Sequence, residues 1–325
     1  MYRIASLILS LPFLAQAAIA QPVEPLVITS QSLSLGHEAE QSVAPLRVQG
    51  VYELNSDHKD FGGISGMRFG PDDRIYMITD AGQFISARMN LTESGHFTGL
   101  ENATISPLTD PEGETIPIKS LVDSESLAWG QDKSHVLVSF EFRHRVWRYE
   151  LKDNRLQNPV ALNLAPHLST LPDNGGIEAM ARLDEGSMLL FSEQGKTVSG
   201  RKAWRYQNGQ MMSFTYVPPA PYVPTDAVNL GEGQIIILNR HFSPLSGVSA
   251  ELTLINEKAA SIGAQVDGQR LAKLTPPFPV DNFEAIDAVK RERGWDIFIV
   301  SDDNFNAVQK TLLLHLFLPK TALPQ

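Results

Sequence analysis

The sequence predicts an all-β protein built as a single β-propeller. Three observations carry that expectation. A plan of two short apolar segments recurs five times at intervals of about 55 residues. The second segment of each pair is an unbroken apolar run rather than an alternating one, the mark of a strand covered on both faces. No stretch with the period of an amphipathic helix interrupts the series.

The repeats are read as follows. Residues 63–67 precede the strand 74–80, residues 123–128 precede 135–141, and residues 176–180 precede 187–193. Residues 225–228 then precede 234–240, and residues 282–286 precede 296–302. Each begins at a small or acidic turn and ends in a polar or charged side chain. Ser65, Glu125, Glu178, Asp226 and Glu284 are taken as equivalent points. Apolar stretches at 46–54 and 311–318 flank the series, and the two chain ends are expected to share a closing blade. That arrangement favours six blades, with five left open, and closure removes exposed sheet edges. The competing architecture is a pair of β-sandwiches. The Pro- and Thr-rich segment 102–119 and the Pro-rich segment 217–225 read as surface loops within one domain.

Residues 1–20 read as an export leader. Arg3 precedes an apolar run broken by Pro12, and Ala18-Ile19-Ala20 is a small-x-small cleavage pattern. The mature domain would then be 21–325, periplasmic or secreted, with no membrane span after it. Cysteine is absent, which excludes thiol catalysis and thiolate metal sites; a chain of this size buries enough core without disulfides. With 27 basic and 37 acidic side chains the formal charge is −10, which argues against nucleic acid as a partner. A monomer is expected.

Carboxylates recur at matching positions in the repeats. Glu125, Glu178 and Glu284 are equivalent, and Asp80, Glu141, Glu193 and Asp302 end strands. Equivalent positions in a propeller face a common axis, so these groups converge, and crowded carboxylates repel unless protons, bases or a cation compensate. Calcium takes six to eight oxygen ligands and suits such a ring, with Asn174, Asn282 and Asn304 as neutral donors. The competing reading is architectural, with the acids accepting backbone N–H bonds at blade turns. Arg143, His144 and Arg145 follow one strand, and Arg240 and His241 stand at the end of another. Arginine matches an anionic oxygen pair and histidine moves protons near neutral pH. His241, Arg240, His144 and Arg143 are therefore candidate catalytic residues for a small anionic ester, with a bound cation activating water. Their alternative role is to balance Glu141 and Glu193. Ser65 lies in Gly62-Gly63-Ile64-Ser65-Gly66, which is not G-x-S-x-G, and reads as a turn residue. The remaining histidines show no metal-ligand spacing, and the sequons at Asn90 and Asn102 matter only in a glycosylating host.

Several motifs in this order resemble one known family. They are Gly62-Gly63-Ile64-Ser65-Gly66, Asp123-Ser124-Glu125, the run 139–149 with Glu141-Phe142-Arg143-His144-Arg145, and Asn174-Gly175-Gly176-Ile177-Glu178-Ala179. Leu238-Asn239-Arg240-His241-Phe242-Ser243-Pro244, Asp281-Asn282-Phe283-Glu284-Ala285 and Ser301-Asp302-Asp303-Asn304-Phe305 continue the series. Together they are similar to the phytase-like family known for an esterase-like activity of phytase, over about residues 61–318. The resemblance implies a propeller and an ester-hydrolase role. The residues leave a second reading open, a non-catalytic propeller that binds a ligand or partner across its mouth and uses cations for stability.

Overall fold

The computed structural model describes residues 22–130 and 133–323. The leader expected over 1–20 lies outside the described residues. The chain opens with β1 (Glu24–Leu26), β2 (Thr29–Ser32), a six-residue helix α1 (His37–Ser42) and β3 (Arg47–Asn55). Blade I follows as β4 (Ile64–Phe69), β5 (Arg74–Thr79), β6 (Gln83–Leu91) and β7 (Phe97–Pro107), with β1 paired outside β7. The short helix α2 (Lys119–Val122) leads to blade II, made of β8 (Ser124–Trp129), β9 (His135–Phe140), β10 (Arg145–Lys152) and β11 (Arg155–Ala161). After α3 (Ala165–Leu168), blade III takes β12 (Ile177–Arg182), β13 (Met188–Lys196), β14 (Arg201–Gln207) and β15 (Gln210–Val217). Blade IV is β16 (Val223–Gly231), β17 (Gln234–Ser243) and β18 (Gly247–Asn256), while β19 (Gln265–Asp267) returns to edge blade III. Then β20 (Gln269–Leu274) completes blade IV. Blade V consists of β21 (Asn282–Arg291), β22 (Gly294–Asp302) and β23 (Leu312–Pro319), closed by β3 and β2 from the other end of the chain.

Five blades therefore form, one of the two numbers the sequence left open. The flanking apolar stretches do share a closing blade, since Leu313 pairs with Tyr52 and Leu314 with Val51. They supply the outer strands of the fifth repeat instead of a sixth blade. Two expected loops are partly strand: 102–107 belongs to β7 and 223–225 to β16. Ala103 and Ile105 alternate inward on β7, a pattern that the surrounding Thr and Pro obscured.

Ring closure is visible in the packing. The inner strands touch in the cycle β4, β8, β12, β16, β21 and back to β4. Each pair of adjacent blades also encloses its own apolar cluster. Ile75 and Met77 of β5 point into the cluster shared with blade V, while Tyr76 and Ile78 point into the one shared with blade II. This explains the unbroken apolar runs, because both faces of an inner strand are core.

The axis itself carries one charged pair. Arg68, on β4, donates from Nη1 to Asp226 Oδ2 and from Nη2 to Asp226 Oδ1, both at 2.8 Å. Its remaining N–H groups reach the carbonyls of Met180 at 2.8 Å, Ile286 at 3.0 Å and Ala227 at 3.1 Å. Asp226 in turn accepts from the backbone N–H of Ala227 and Ile286. Four of the five inner strands are thus tied by two side chains that are almost fully buried. Removing one member would strand the other without a partner, a loss of about 3–5 kcal/mol. Arg68→Met is expected to lower the chemical unfolding free energy by that amount, and adding Asp226→Leu to restore part of it. The comparison is made by equilibrium denaturation, and a single variant as stable as the parent would contradict the role given to the pair.

Candidate functional site

Every inner strand bends at the same place. The register slips between Ile64 and Gly66, Ser124 and Ser126, Ile177 and Ala179, Pro224 and Asp226, and Phe283 and Ala285. Each slip is a β-bulge, which sets one extra residue out of the ladder and re-aims its side chain. The extra residues are Ser65, Glu125, Glu178, Thr225 and Glu284. Asp226 is therefore not the fourth equivalent, as the sequence alone suggested; Thr225 is. The hydroxyl of Ser65 donates to the carbonyl of Ser124 at 2.6 Å, and that of Thr225 to Phe283 at 3.1 Å. Both bonds run to the residue just before the next blade's bulge. Ser65 is thereby a blade tie with its hydroxyl engaged.

The partner strands add a second layer. Ladder pairs align Thr79, Phe140, Ser192, Asn239 and Ser301 across the blades. The following residues, Asp80, Glu141, Glu193, Arg240 and Asp302, are therefore equivalent. Blade IV puts arginine where the other four put a carboxylate. That substitution was legible in the sequence by aligning strand ends.

Two cations divide the ring. Arg240 reaches Glu193 through Nη2 at 3.1 Å and Glu284 through Nε at 3.2 Å, bridging blades III and V. Lys119, delivered by α2, bonds Asp80 Oδ2 at 2.7 Å and Asp123 Oδ1 at 2.8 Å. Neither Lys119 nor Asp123 was singled out as a functional residue from the sequence: Lys119 ends the segment read as a surface loop, and Asp123 was read only as the turn that opens the second repeat. Among the described residues four ring acids have no basic partner: Asp302, which accepts from the Asn304 N–H and the Asn282 amide, and Glu125, Glu141 and Glu178, which cluster between blades II and III. Glu141 Oε1 accepts from the backbone N–H groups of Gly175 and of Gly176, the latter at 2.9 Å. Oxygens of Asp123, Glu125 and Glu141 lie within 4.8 Å of one another. Glu178 is 7% exposed, and its Oε1 is buried with no hydrogen-bond partner among the described residues.

This crowding shows in the proton affinities. Burial, then the charges of Glu141 and Asp123, push the Glu125 carboxyl well above the usual range. Burial, then Glu125 and Glu141, do the same to Glu178. Burial raises Glu284 to about 8 even against Arg240, and burial raises Asp302 to about 7 despite the N–H of Asn304. The donor set is all oxygen, hard and over-acidic, which fits a divalent cation of the calcium class. The same proximity accommodates protons in its place.

The expected basic residues separate. Arg240 is inside the ring. His144 is beside it: its Nε2 donates to the Pro172 carbonyl at 2.8 Å. That bond assigns the proton to Nε2 and leaves Nδ1 as an acceptor. Nδ1 is buried, has no partner among the described residues, and lies 2.7 Å from where a Cβ on Gly176 would sit. The same point is 3.6 Å from Glu141 Cγ, so His144 and Glu141 border one small space that only glycine leaves open. His241 points away, on the opposite face of β17 from Arg240, with its ring edge-on to Tyr222 at 5.7 Å. Arg143 is exposed, and its carbonyl accepts from Arg145. Arg145 is held between the rings of Phe140 and Trp147, with its guanidinium 4.1 Å and 4.4 Å from their centroids. Two cavities open on the opposite face of the disc, one of 310 Å³ beside Trp129 and Arg182 and one of 820 Å³ beside Trp295 and Phe317; neither includes a ring carboxylate.

The raised carboxyls carry a stability signature. Unfolded, these groups titrate near pH ~4. Folded, Glu284 and Asp302 hold their protons up to about 8 and about 7. The native state therefore binds more protons across that interval, and stability falls as pH rises through it. In chelator, the melting temperature is expected to decline from pH 5 to pH 8, and millimolar calcium to abolish the decline. A melting temperature that climbs over that range in chelator would contradict the assignment.

No curated protein sequence matches the chain. Among solved structures, a calcium-bound carbohydrate-active enzyme of family AA12 from Trichoderma reesei superposes with TM-score 0.46 at 11% identity, covering 92% of this chain and 98% of that one. The Malassezia sympodialis allergen Mala s 1 gives TM-score 0.42 at 9% identity over 88% and 92% of the two chains. Likenesses this distant carry no argument about chemistry. The family described as phytase-like, esterase-like activity of phytase, matches residues 59–305, which include the inner two strands of all five blades and every carboxylate of the ring. The chain belongs to that phytase-like family.

Proposed function

We propose that the protein is an exported ester hydrolase assisted by a divalent cation, calcium first. The observation that carries this reading is the uncompensated set Glu125, Glu141 and Glu178 beside the acceptor nitrogen of His144. Membership of the phytase-like family supports an ester as substrate. Export rests on the leader pattern of residues 1–20.

Asp123, Glu125 and Glu141 would hold the cation, with Glu178 closing the set from blade III. A cation held there would supply Lewis-acid polarisation of the ester and lower the pKa of the attacking water. The chain's own residues do the rest. His144 Nδ1 accepts the proton of the attacking water as its oxygen bonds to the carbonyl carbon or phosphorus. The bond to the alcohol oxygen then breaks, and the alcohol leaves carrying that proton. Arg240 is the candidate to offset charge that develops on the reacting centre; to do so it must yield part of its hold on Glu193 or Glu284. Arg143 and His241 would act at the rim, on substrate reaching beyond the ring.

Hydrolysis of p-nitrophenyl esters by the mature protein is expected to stop on chelation and return with calcium. His144→Ala should reduce kcat by about 10²–10⁴-fold, the usual worth of a positioned base. Glu178→Gln should weaken calcium activation while leaving the fold intact by circular dichroism. Parent-like rates in both variants would defeat the assignment. A folded protein that binds calcium and turns over no ester would instead be a binding propeller.

A further inference from the structure

The rim of the mouth carries exposed apolar side chains beside Arg143, although the bowl below it is acidic. Loops leaving the second strand of each blade open on the same face as the ring. These loops carry Phe142, Val198, Leu245, Phe305 and Val308, and the end of β17 adds Phe242, all exposed. Three separate blades each place a phenylalanine on this face: Phe142 is 40% exposed, Phe242 61% and Phe305 47%.

Two of these rings are held there against local preference. Phe142 has φ +54° and Phe305 φ +49°, in the left-handed region where a bulky side chain is strained. The conformation is enforced by hydrogen bonds. Asp303 Oδ1 accepts from the N–H of Phe305 at 3.0 Å and from Gly63 at 3.0 Å, and the Phe142 N–H donates to the Asp173 carbonyl at 3.0 Å. A glycine or asparagine would meet that geometry without strain. The rings are also close to the acids. A Cβ on Gly63 would stand 2.6 Å from the Phe305 ring and within contact of Asp80 Oδ1. Phe242 shares a face of β17 with Arg240, two residues earlier.

Charge restricts what can enter. Two basic side chains face eight carboxylates, counting Asp123, so even with one divalent cation the bowl is not positive. A multiply phosphorylated substrate would meet net repulsion. An uncharged ester bearing an apolar chain would lay that chain on the phenylalanine collar and present its carbonyl to the ring.

We propose that the substrate is an apolar carboxylic ester, recognised by Phe142, Phe242 and Phe305, and not a polyphosphate. This rests on the hydrolase reading above. With calcium present, kcat/KM is expected to rise about threefold for each methylene added from p-nitrophenyl acetate to hexanoate, as chain buried against the collar gains contact. p-Nitrophenyl phosphate and inositol hexakisphosphate should be turned over at least ~100-fold more slowly, because Arg240 and Lys119 are already engaged by ring carboxylates and the acids outnumber them. Phe142→Gly combined with Phe305→Gly should raise the melting temperature by relieving the backbone. It should also flatten the chain-length series, with the hexanoate falling about tenfold and the acetate little changed. Faster turnover of the phosphate esters, or a flat series in the parent protein, would overturn this inference and leave the hydrolase reading standing. No turnover of any substrate by the folded, calcium-loaded protein would overturn both.

Discussion

Closure of five blades around one axis places a demand that apolar side chains cannot meet. The inner strands present carbonyls and N–H groups to a space from which water is largely displaced, and each such group needs a partner. Arg68 and Asp226 meet that demand together, the guanidinium facing three carbonyls of blades III, IV and V while the carboxylate accepts two backbone N–H groups. A fork of five donors suits this in a way that lysine would not. The pair also fills the axis beneath the carboxylate ring, so the mouth is a bowl with a charged, fully bonded floor.

Above that floor the repeated architecture concentrates charge. A bulge on the inner strand and the end of its partner project two side chains per blade toward the axis, and seven of the ten such positions are acidic. Structural ties account for the hydroxyls of Ser65 and Thr225, and ion pairs account for Asp80, Glu193 and Glu284. Asp302 is met by the Asn304 N–H and the Asn282 amide. None of these accounts for Glu125, Glu141 and Glu178, whose only backbone support among the described residues is the pair of glycine N–H groups at Glu141. An acid kept solely for architecture would be expected to have its buried oxygens bonded, and Glu178 Oε1 is not. The cluster is therefore read as holding something positive, either protons or a cation.

Much of this was legible in the sequence, for reasons tied to particular residues. Strands covered on both faces are continuous apolar runs, so β5, β9, β13, β17 and β22 announced five repeats, though not the blade count. The carboxylates recurred at countable positions, and the site between blades was visible in outline. Other features depend on information that periodicity does not carry. The bulge shifts the register by one residue, so Thr225 and not Asp226 aligns with the glutamates, and a neighbouring acid at 226 concealed this. Arg68 follows Met67 in an inner strand with nothing local to show that it points at the axis. Lys119 reaches the ring from an insertion that reads as surface loop. The outer strands of blade V come from both ends of the chain, which is why a sixth blade was a reasonable expectation. His241 looked equal to His144 until strand alternation set their rings on different sides.

On the proposed reading the ring trades protons for a divalent cation. Titrating calcium into metal-free protein at pH 7 by calorimetry, in two buffers of different ionisation enthalpy, distinguishes this from a purely architectural ring. Saturable binding is expected, with an apparent heat that differs between the buffers because protons leave as calcium enters, and weaker binding in Glu125→Gln. Absence of binding, or binding with the same heat in both buffers, would contradict it.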